Sequence, residues 1–161
     1  MDPSNSVHYV DTRRIGDATV SIIRDGTFPW APELQVAEDE WRRAMPEADP
    51  AGQLPIDVNL AHVRIGDNSI VIDLGFGDPA PSWPARLERT PGALAGLATL
   101  AVGPGDVTHV LITHAHGDHI AGATTARGGE RVPTFPRARY LINRAEWVDR
   151  PAGEHPSPVQ A

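Results

Sequence analysis

Three of the chain's seven histidines and one aspartate fall in the run Thr113-His114-Ala115-His116-Gly117-Asp118-His119, which reads His-x-His-x-Asp-His. Imidazole nitrogens with a carboxylate oxygen form a ligand set that borderline divalent ions such as Zn²⁺ accept, and catalytic zinc sites draw on it. His114, His116, Asp118 and His119 are therefore candidate metal ligands. A solvated polar loop or an Asp-capped helix start would account for Asp118 but needs no histidines.

The flanking sequence positions these side chains. Thr108-His109-Val110-Leu111-Ile112-Thr113 is a short β-branched run that reads as a buried strand. In extended chain leaving it, residues two apart point the same way, so His114 and His116 can grip one ion. Gly117 permits a turn, which puts Asp118 and His119 at the start of a helix over His119 to Thr125 and aims them at a neighbouring ion. Asp73 closes a second apolar strand, Val71-Ile72, and is followed by Leu74-Gly75. A carboxylate there is costly to bury unless hydrogen-bonded. Asp73 either forms a turn or accepts a hydrogen bond from a ligand histidine. His62 and His109 lie within strands and are expected to be structural.

Composition narrows the chemistry further. The 161 residues suit one domain with a sizeable core. With no Cys, disulfides, thiolate ligands and a Cys nucleophile are excluded; with no Lys among the fourteen basic residues, so are Schiff-base and P-loop lysines. A net charge of −7 argues against nucleic-acid and anionic-membrane partners, which need a basic footprint. No apolar run approaches a membrane span and the start does not read as a signal peptide, so the expectation is a cytoplasmic protein acting on a small molecule.

Along the chain, residues 1–17 read as an N-terminal arm. Ala18 to Arg24 reads as a strand and Asp25-Gly26 as a turn. Thr27-Phe28-Pro29-Trp30 reads as an aromatic loop, where Phe28 and Trp30 either anchor the loop or overhang a substrate pocket. Glu33 to Met45 has helical composition with acids early and Arg42 and Arg43 late, and Pro46, Pro50 and Pro55 mark an irregular link. Asn59 to Ile65 and Ser69 to Asp73 form a hairpin around Gly66-Asp67-Asn68. Thr90-Pro91 reads as the start of a small helix running to Leu100. Arg127-Gly128-Gly129 reads as a turn, Ala138 to Asn143 as a strand and Arg144 to Val148 as a helical turn. Residues 18–150 thus form an α/β domain, a mixed sheet with flanking helices, and 151–161 a Pro-rich tail.

The motif His114-x-His116-x-Asp118-His119, with Asp73-Leu74-Gly75 and the Thr108 to Thr113 strand before it, resembles the metallo-β-lactamase superfamily over about Ala18 to Val148. Asp25-Gly26, Asn59 and Arg144-Ala145-Glu146-Trp147 most resemble its lactonase and methyl-parathion-hydrolase-like branch. The resemblance implies an αβ/βα sandwich of two similar halves, of which this chain carries mainly the first. It implies two metal ions, zinc or another divalent transition metal such as Mn²⁺, Fe²⁺ or Co²⁺, with His114 and His116 contributing to one site and Asp118 and His119 to the other. A metal-bound hydroxide, oriented by Asp118, would attack a lactone, ester, thioester, β-lactam or organophosphate. Members draw a third histidine, a bridging aspartate and a last histidine from the second half. His155 is the one later histidine here, and its Pro-rich setting reads as tail.

The expectation is therefore a dinuclear zinc hydrolase represented by an incomplete chain. The alternative is a catalytically incomplete half-domain that binds metal weakly or acts as an association module, with homo-oligomers a way to pair half-sites. Half a sandwich would also expose an apolar sheet face. A nuclease of the same superfamily fits the acidic balance less well.

Overall fold

A computed structural model describes residues 9–77 and 92–148. One mixed six-stranded sheet organises them, in the order β1 (Val10–Ile15), β2 (Ala18–Trp30), β3 (Leu54–Ile65), β4 (Asn68–Ile72), β5 (His109–Ile112) and β8 (Arg139–Ile142). The first four strands are successive antiparallel neighbours, while β4, β5 and β8 are parallel. Helix α1 (Glu38–Ala44) lies in the β2–β3 connection, and α2 (Ala93–Thr99) packs against β2 on the way from β4 to β5. After β5 come α3 (Gly117–Ile120), a 3-10 turn (Ala121–Ala123) and the small hairpin of β6 (Thr124–Arg127) and β7 (Glu130–Pro133); α4 (Arg144–Val148) follows β8.

The core lies on one face of the sheet. Ile23, Leu60, Val71 and Val110 project from four neighbouring strands and meet Leu97 of α2, Val102, Val107 and Phe135. Side chains alternate across a strand, so their sequence neighbours face the other way. Ile22, Ala61, Ile72, Leu111 and Leu141 stand in register as one row across five strands on that opposite face. Ile22 is 44% and Leu141 41% exposed. The expected apolar face is thus present.

Several local expectations are corrected. Part of the stretch expected to be an N-terminal arm is strand β1, which pairs with β2 along its whole length from Val10↔Ile23 to Ile15↔Ala18. Asp25-Gly26 is no turn: the register shifts between Arg24 and Gly26, a bulge that one extra residue creates, and β2 runs on through Phe28 to Trp30. The aromatic loop is therefore the end of a strand. Pro55 lies inside β3, opposite Pro29 of β2 and past the last β3–β4 pair, where a missing N–H disturbs no second ladder.

The first helix is shorter than its composition suggested and begins where Glu38, Asp39 and Glu40 occupy its first turn. The helix expected over His119 to Thr125 also stops early: it passes into a 3-10 turn over Ala121–Ala123, where a Cβ on Gly122 would run into the Leu74 carbonyl, and the chain enters β6 at Thr124. Gly128 and Gly129, both at positive φ, make the expected turn, here between β6 and β7. Thr90, Pro91 and His155 lie outside the described residues. Among the described residues no helix is long and apolar enough to cross a membrane.

Candidate metal centre

The parallel strands set the location. β5 and β8 end side by side at Ile112↔Ile142, so the chains leaving them emerge at the same sheet edge. This is the carboxyl end of the parallel strands, where open α/β sheets hold their ligands. His114 and His116 lie on the chain leaving β5, and Asp118 and His119 in the single turn of α3. β4 ends at the same edge and delivers Asp73, whose N–H donates to the Leu111 carbonyl at 2.8 Å. Leu74 N–H then donates to the His119 carbonyl at 3.0 Å, tying the two loops together.

Asp73 organises the cluster. It is 7% exposed and takes the left-handed conformation, φ 59°, which Asp tolerates better than most residues. Its Oδ1 accepts from Thr113 N–H at 2.8 Å, its Oδ2 accepts from the Thr113 hydroxyl at 2.8 Å, and Oδ2 also meets His119 Nδ1 at 2.8 Å. A carboxylate accepts only, so Nδ1 of His119 carries the proton. The Thr113 hydroxyl proton is directed to Asp73, which leaves the Thr113 oxygen to accept from His114 Nδ1 at 3.0 Å. One carboxylate thus fixes the tautomer of His119 directly and that of His114 through Thr113, and turns both Nε2 atoms outward. Of the two readings of Asp73, a turn or a hydrogen bond to a histidine of the motif, the hydrogen bond is observed.

The four motif residues converge closely. The rings of His114 and His116 are 4.5 Å apart and those of His114 and His119 4.0 Å. His114 Nε2 and His116 Nδ1 are 3.0 Å apart, and His119 Nε2 is 3.2 Å from Asp118 Oδ2. With the proton of His119 on Nδ1, Nε2 and Oδ2 are two acceptors face to face, an arrangement that calls for a cation or a further proton between them. Burial, and then the His119 and His116 rings, hold His114 below the ordinary imidazole range, against the opposing pull of Asp73 and Asp118. A lowered value keeps the ring neutral, the form that binds a metal.

The donor set therefore suits a divalent ion, in two pairs: His114 with His116, and Asp118 with His119. Among the described residues, however, no three His, Asp or Glu side chains are disposed around one ion. A catalytic zinc site draws on three protein ligands, so each pair falls one short.

The two strand histidines each have a hydroxyl partner within their own sheet. His62 is buried with Nε2 2.9 Å from Ser69 Oγ, and His109 Nδ1 lies 2.9 Å from Thr108 Oγ1. Phe28 meets Phe76 edge to face, with centroids 6.0 Å apart, and Trp30 pairs with Leu54 at the far end of β2. Sequence reasoning missed two supporting carboxylates. Asp25 is fully buried in the bulge and accepts from Phe76 N–H at 2.8 Å and Ala93 N–H at 2.7 Å, which fastens the chain after Asp73 and the start of α2 to β2. Glu146 of α4 accepts from Ala115 N–H at 3.0 Å, between the two histidines of the first pair. Asp25 beside Gly26 has the composition of a turn and Glu146 that of a short helical turn; neither carries a local sign of its distant partner.

Residues 55–158 match the Metallo-beta-lactamase superfamily. A rat protein named Metallo-beta-lactamase domain-containing protein 1 is 28% identical over 135 residues, covering 84% of this chain and 43% of its own length. Among solved structures, AidC, a dizinc quorum-quenching lactonase in complex with a product, superposes with a TM-score of 0.71 at 21% identity, covering 88% of this chain and 48% of AidC. The hydrolase AbOPH in the beta lactamase superfamily gives 0.71 at 26% identity, covering 89% and 48%. The chain spans about half the length of these relatives, and its mixed sheet corresponds to about half of their fold.

Proposed function

The chain belongs to the metallo-β-lactamase superfamily, and from that premise we propose that it carries half of the ligand set of a dinuclear, zinc-dependent hydrolase acting on a lactone, ester or related small molecule. The observation that carries this reading is Asp73, which orients His119 and, through Thr113, His114, so that their Nε2 atoms are turned toward Asp118 Oδ2 and His116 Nδ1 respectively. His114 and His116 would hold one ion, Asp118 and His119 the other. Bound divalent ions lower the pKa of water and polarise a carbonyl or phosphoryl oxygen. Asp118, itself a member of the second pair, is the carboxylate suited to orient and deprotonate an attacking water. Phe28 and Trp30 are the aromatic side chains we assign to a pocket wall. The lactone class is suggested by AidC, a lactonase of the same fold.

The test is metal binding and turnover by the purified chain. It should take up zinc, and His116→Ala should weaken that uptake through loss of the first pair and abolish hydrolysis of lactone, ester and phosphotriester substrates. Unchanged turnover in His116→Ala, or no transition-metal binding at all, defeats the reading.

A second reading has its own support: no three donor side chains are disposed around one ion among the described residues, and the sheet presents an apolar row. On it the chain is a weak metal-binding or association module. A monodisperse monomer with bound zinc that turns over substrate would exclude this.

A further inference from the structure

We propose that Glu146 is a positioning residue that sets the spacing of His114 and His116 by holding the peptide between them; this rests on reading the motif as a metal centre. Two ligands separated by one residue can reach a common ion only if the residue between them keeps the chain extended. Ala115 is that residue. It is 4% exposed, and its N–H donates to Glu146 Oε2 at 3.0 Å.

The topology brings this contact about. β5 and β8 are parallel and end in register at Ile112↔Ile142. Three residues beyond the first strand end is Ala115, and four beyond the second is Glu146, so the two exits meet at one sheet edge. Asn143 Oδ1 accepts from Ala145 N–H at 2.9 Å, fixing the entry into α4 and hence where Glu146 points. Glu146 lies in the first turn of that helix, with Ala145 before it and the largely exposed Trp147 after it.

A carboxylate on this amide makes a charge-assisted hydrogen bond, stronger than a neutral one. Asp73 holds the His114 ring from one side through Thr113, while Glu146 holds the backbone of the same loop from the other. Removing the acceptor deletes neither Asp73 nor any of the four motif side chains, but takes the charged acceptor from the Ala115 N–H and so loosens the spacing of the two imidazoles. Outer partners of metal ligands typically govern affinity by about 10- to 100-fold.

The experiment compares wild type, Glu146→Ala and Glu146→Gln by two readouts: zinc affinity in competition with a chromophoric chelator, and amide hydrogen exchange at Ala115 in the metal-free chain. The expected result is that Glu146→Ala weakens zinc binding by about 10- to 100-fold and speeds Ala115 exchange by about tenfold or more, the equivalent of one hydrogen bond to a charged group. Glu146→Gln keeps an acceptor oxygen and should recover most of both. Ala115 exchange or zinc affinity in Glu146→Ala equal to wild type overturns the proposal, as does failure of Glu146→Gln to differ from Glu146→Ala. A wild type that binds no zinc defeats the metal-centre reading instead, and Ala115 exchange then decides the clamp by itself. If Glu146→Ala unfolds, seen as lost protection at Val71 and Val110, Glu146→Met retains the side-chain stem without the acceptor and takes its place in the same comparison.

Discussion

His119 Nδ1 lies 2.8 Å from Asp73 Oδ2, across 46 residues of sequence. The bond leaves Nε2 of His119 turned toward Asp118 Oδ2, 3.2 Å away. Because Asp73 also accepts from Thr113, which in turn accepts from His114, a single carboxylate governs one member of each ligand pair.

Asp73→Asn should therefore weaken zinc binding by about 10- to 100-fold while leaving the fold intact. Asn tolerates the left-handed backbone at this position, φ 59°, and its amide oxygen can still accept from Thr113 N–H. What is lost is the charged acceptor for His119. Chelator competition measures the affinity and thermal unfolding the fold. Asp73→Ala adds backbone strain of about 1 kcal/mol or more, so it should lower stability as well as affinity.

His62 gives stability a pH dependence separate from the candidate site. Burial, and then the nearby Arg64 guanidinium, lower its pKa from 6.5. The unfolded state therefore takes up a proton that the folded state resists. This stability is fully present above the unfolded value and is lost as the pH falls through 6.5 toward the lowered folded value, with a slope of at most about 1.4 kcal/mol per pH unit. Urea midpoints should fall between neutral pH and pH about 5, where histidines charge. His62→Gln should flatten that fall, with His114, also lowered, contributing the remainder.

Gly122→Ala should cost about 1–3 kcal/mol or more, since a Cβ there would run into the Leu74 carbonyl, which is backbone and cannot swing aside. Leu74 N–H is bonded to the His119 carbonyl, so the same displacement should loosen His119. A lower denaturation midpoint together with weaker zinc binding is the expected pair of results. An unaltered midpoint would mean that the loops do not pack as described.

The ligand cluster was legible because its chemistry is local: four donors within six residues, after a β-branched strand, admit few other readings. Asp73 was legible because an acid closing an apolar strand needs a partner. The contacts that hold the cluster in place were not, since Glu146 reaches Ala115 and Asp25 reaches Phe76 and Ala93 across 31, 51 and 68 residues. Strand β1 and the long β2 were missed for a related reason. Asp25-Gly26 has the composition of a turn, and only the pairing of Gly26 with Val58 and Val10 with Ile23 keeps the chain extended on both sides. Tertiary pairing overrode local preference there.

Asp25 itself yields a stability prediction. It is fully buried in the bulge, and its two oxygens accept from Phe76 and Ala93 N–H groups. Asp25→Ala strands two donors in the interior, at about 1–3 kcal/mol each. Asp25→Asn keeps one acceptor oxygen and should cost about half as much. Chemical denaturation of the two variants checks both the loss and its ranking.

The apolar row across the outer face makes the last prediction. Ile22, Ala61, Ile72, Leu111 and Leu141 line up from β2 to β8, and Ile22 and Leu141 are among the exposed large hydrophobics. Water contact with such a row is unfavourable, and burying one Leu or Ile is worth about 1.5–3 kcal/mol, or roughly a tenfold or greater change in association constant. If a second copy covers this face, the chain should self-associate in sedimentation equilibrium, and Ile22→Glu or Leu141→Lys should each weaken the association at least tenfold, because a charge would then be buried without a partner. Both positions lie outside the Asp73 network, so zinc affinity per chain should be unchanged if the pairs act within one chain and should fall with dissociation if two chains complete a site. A monomeric wild type at high concentration would remove the association reading and leave the metal pairs to be judged on binding alone.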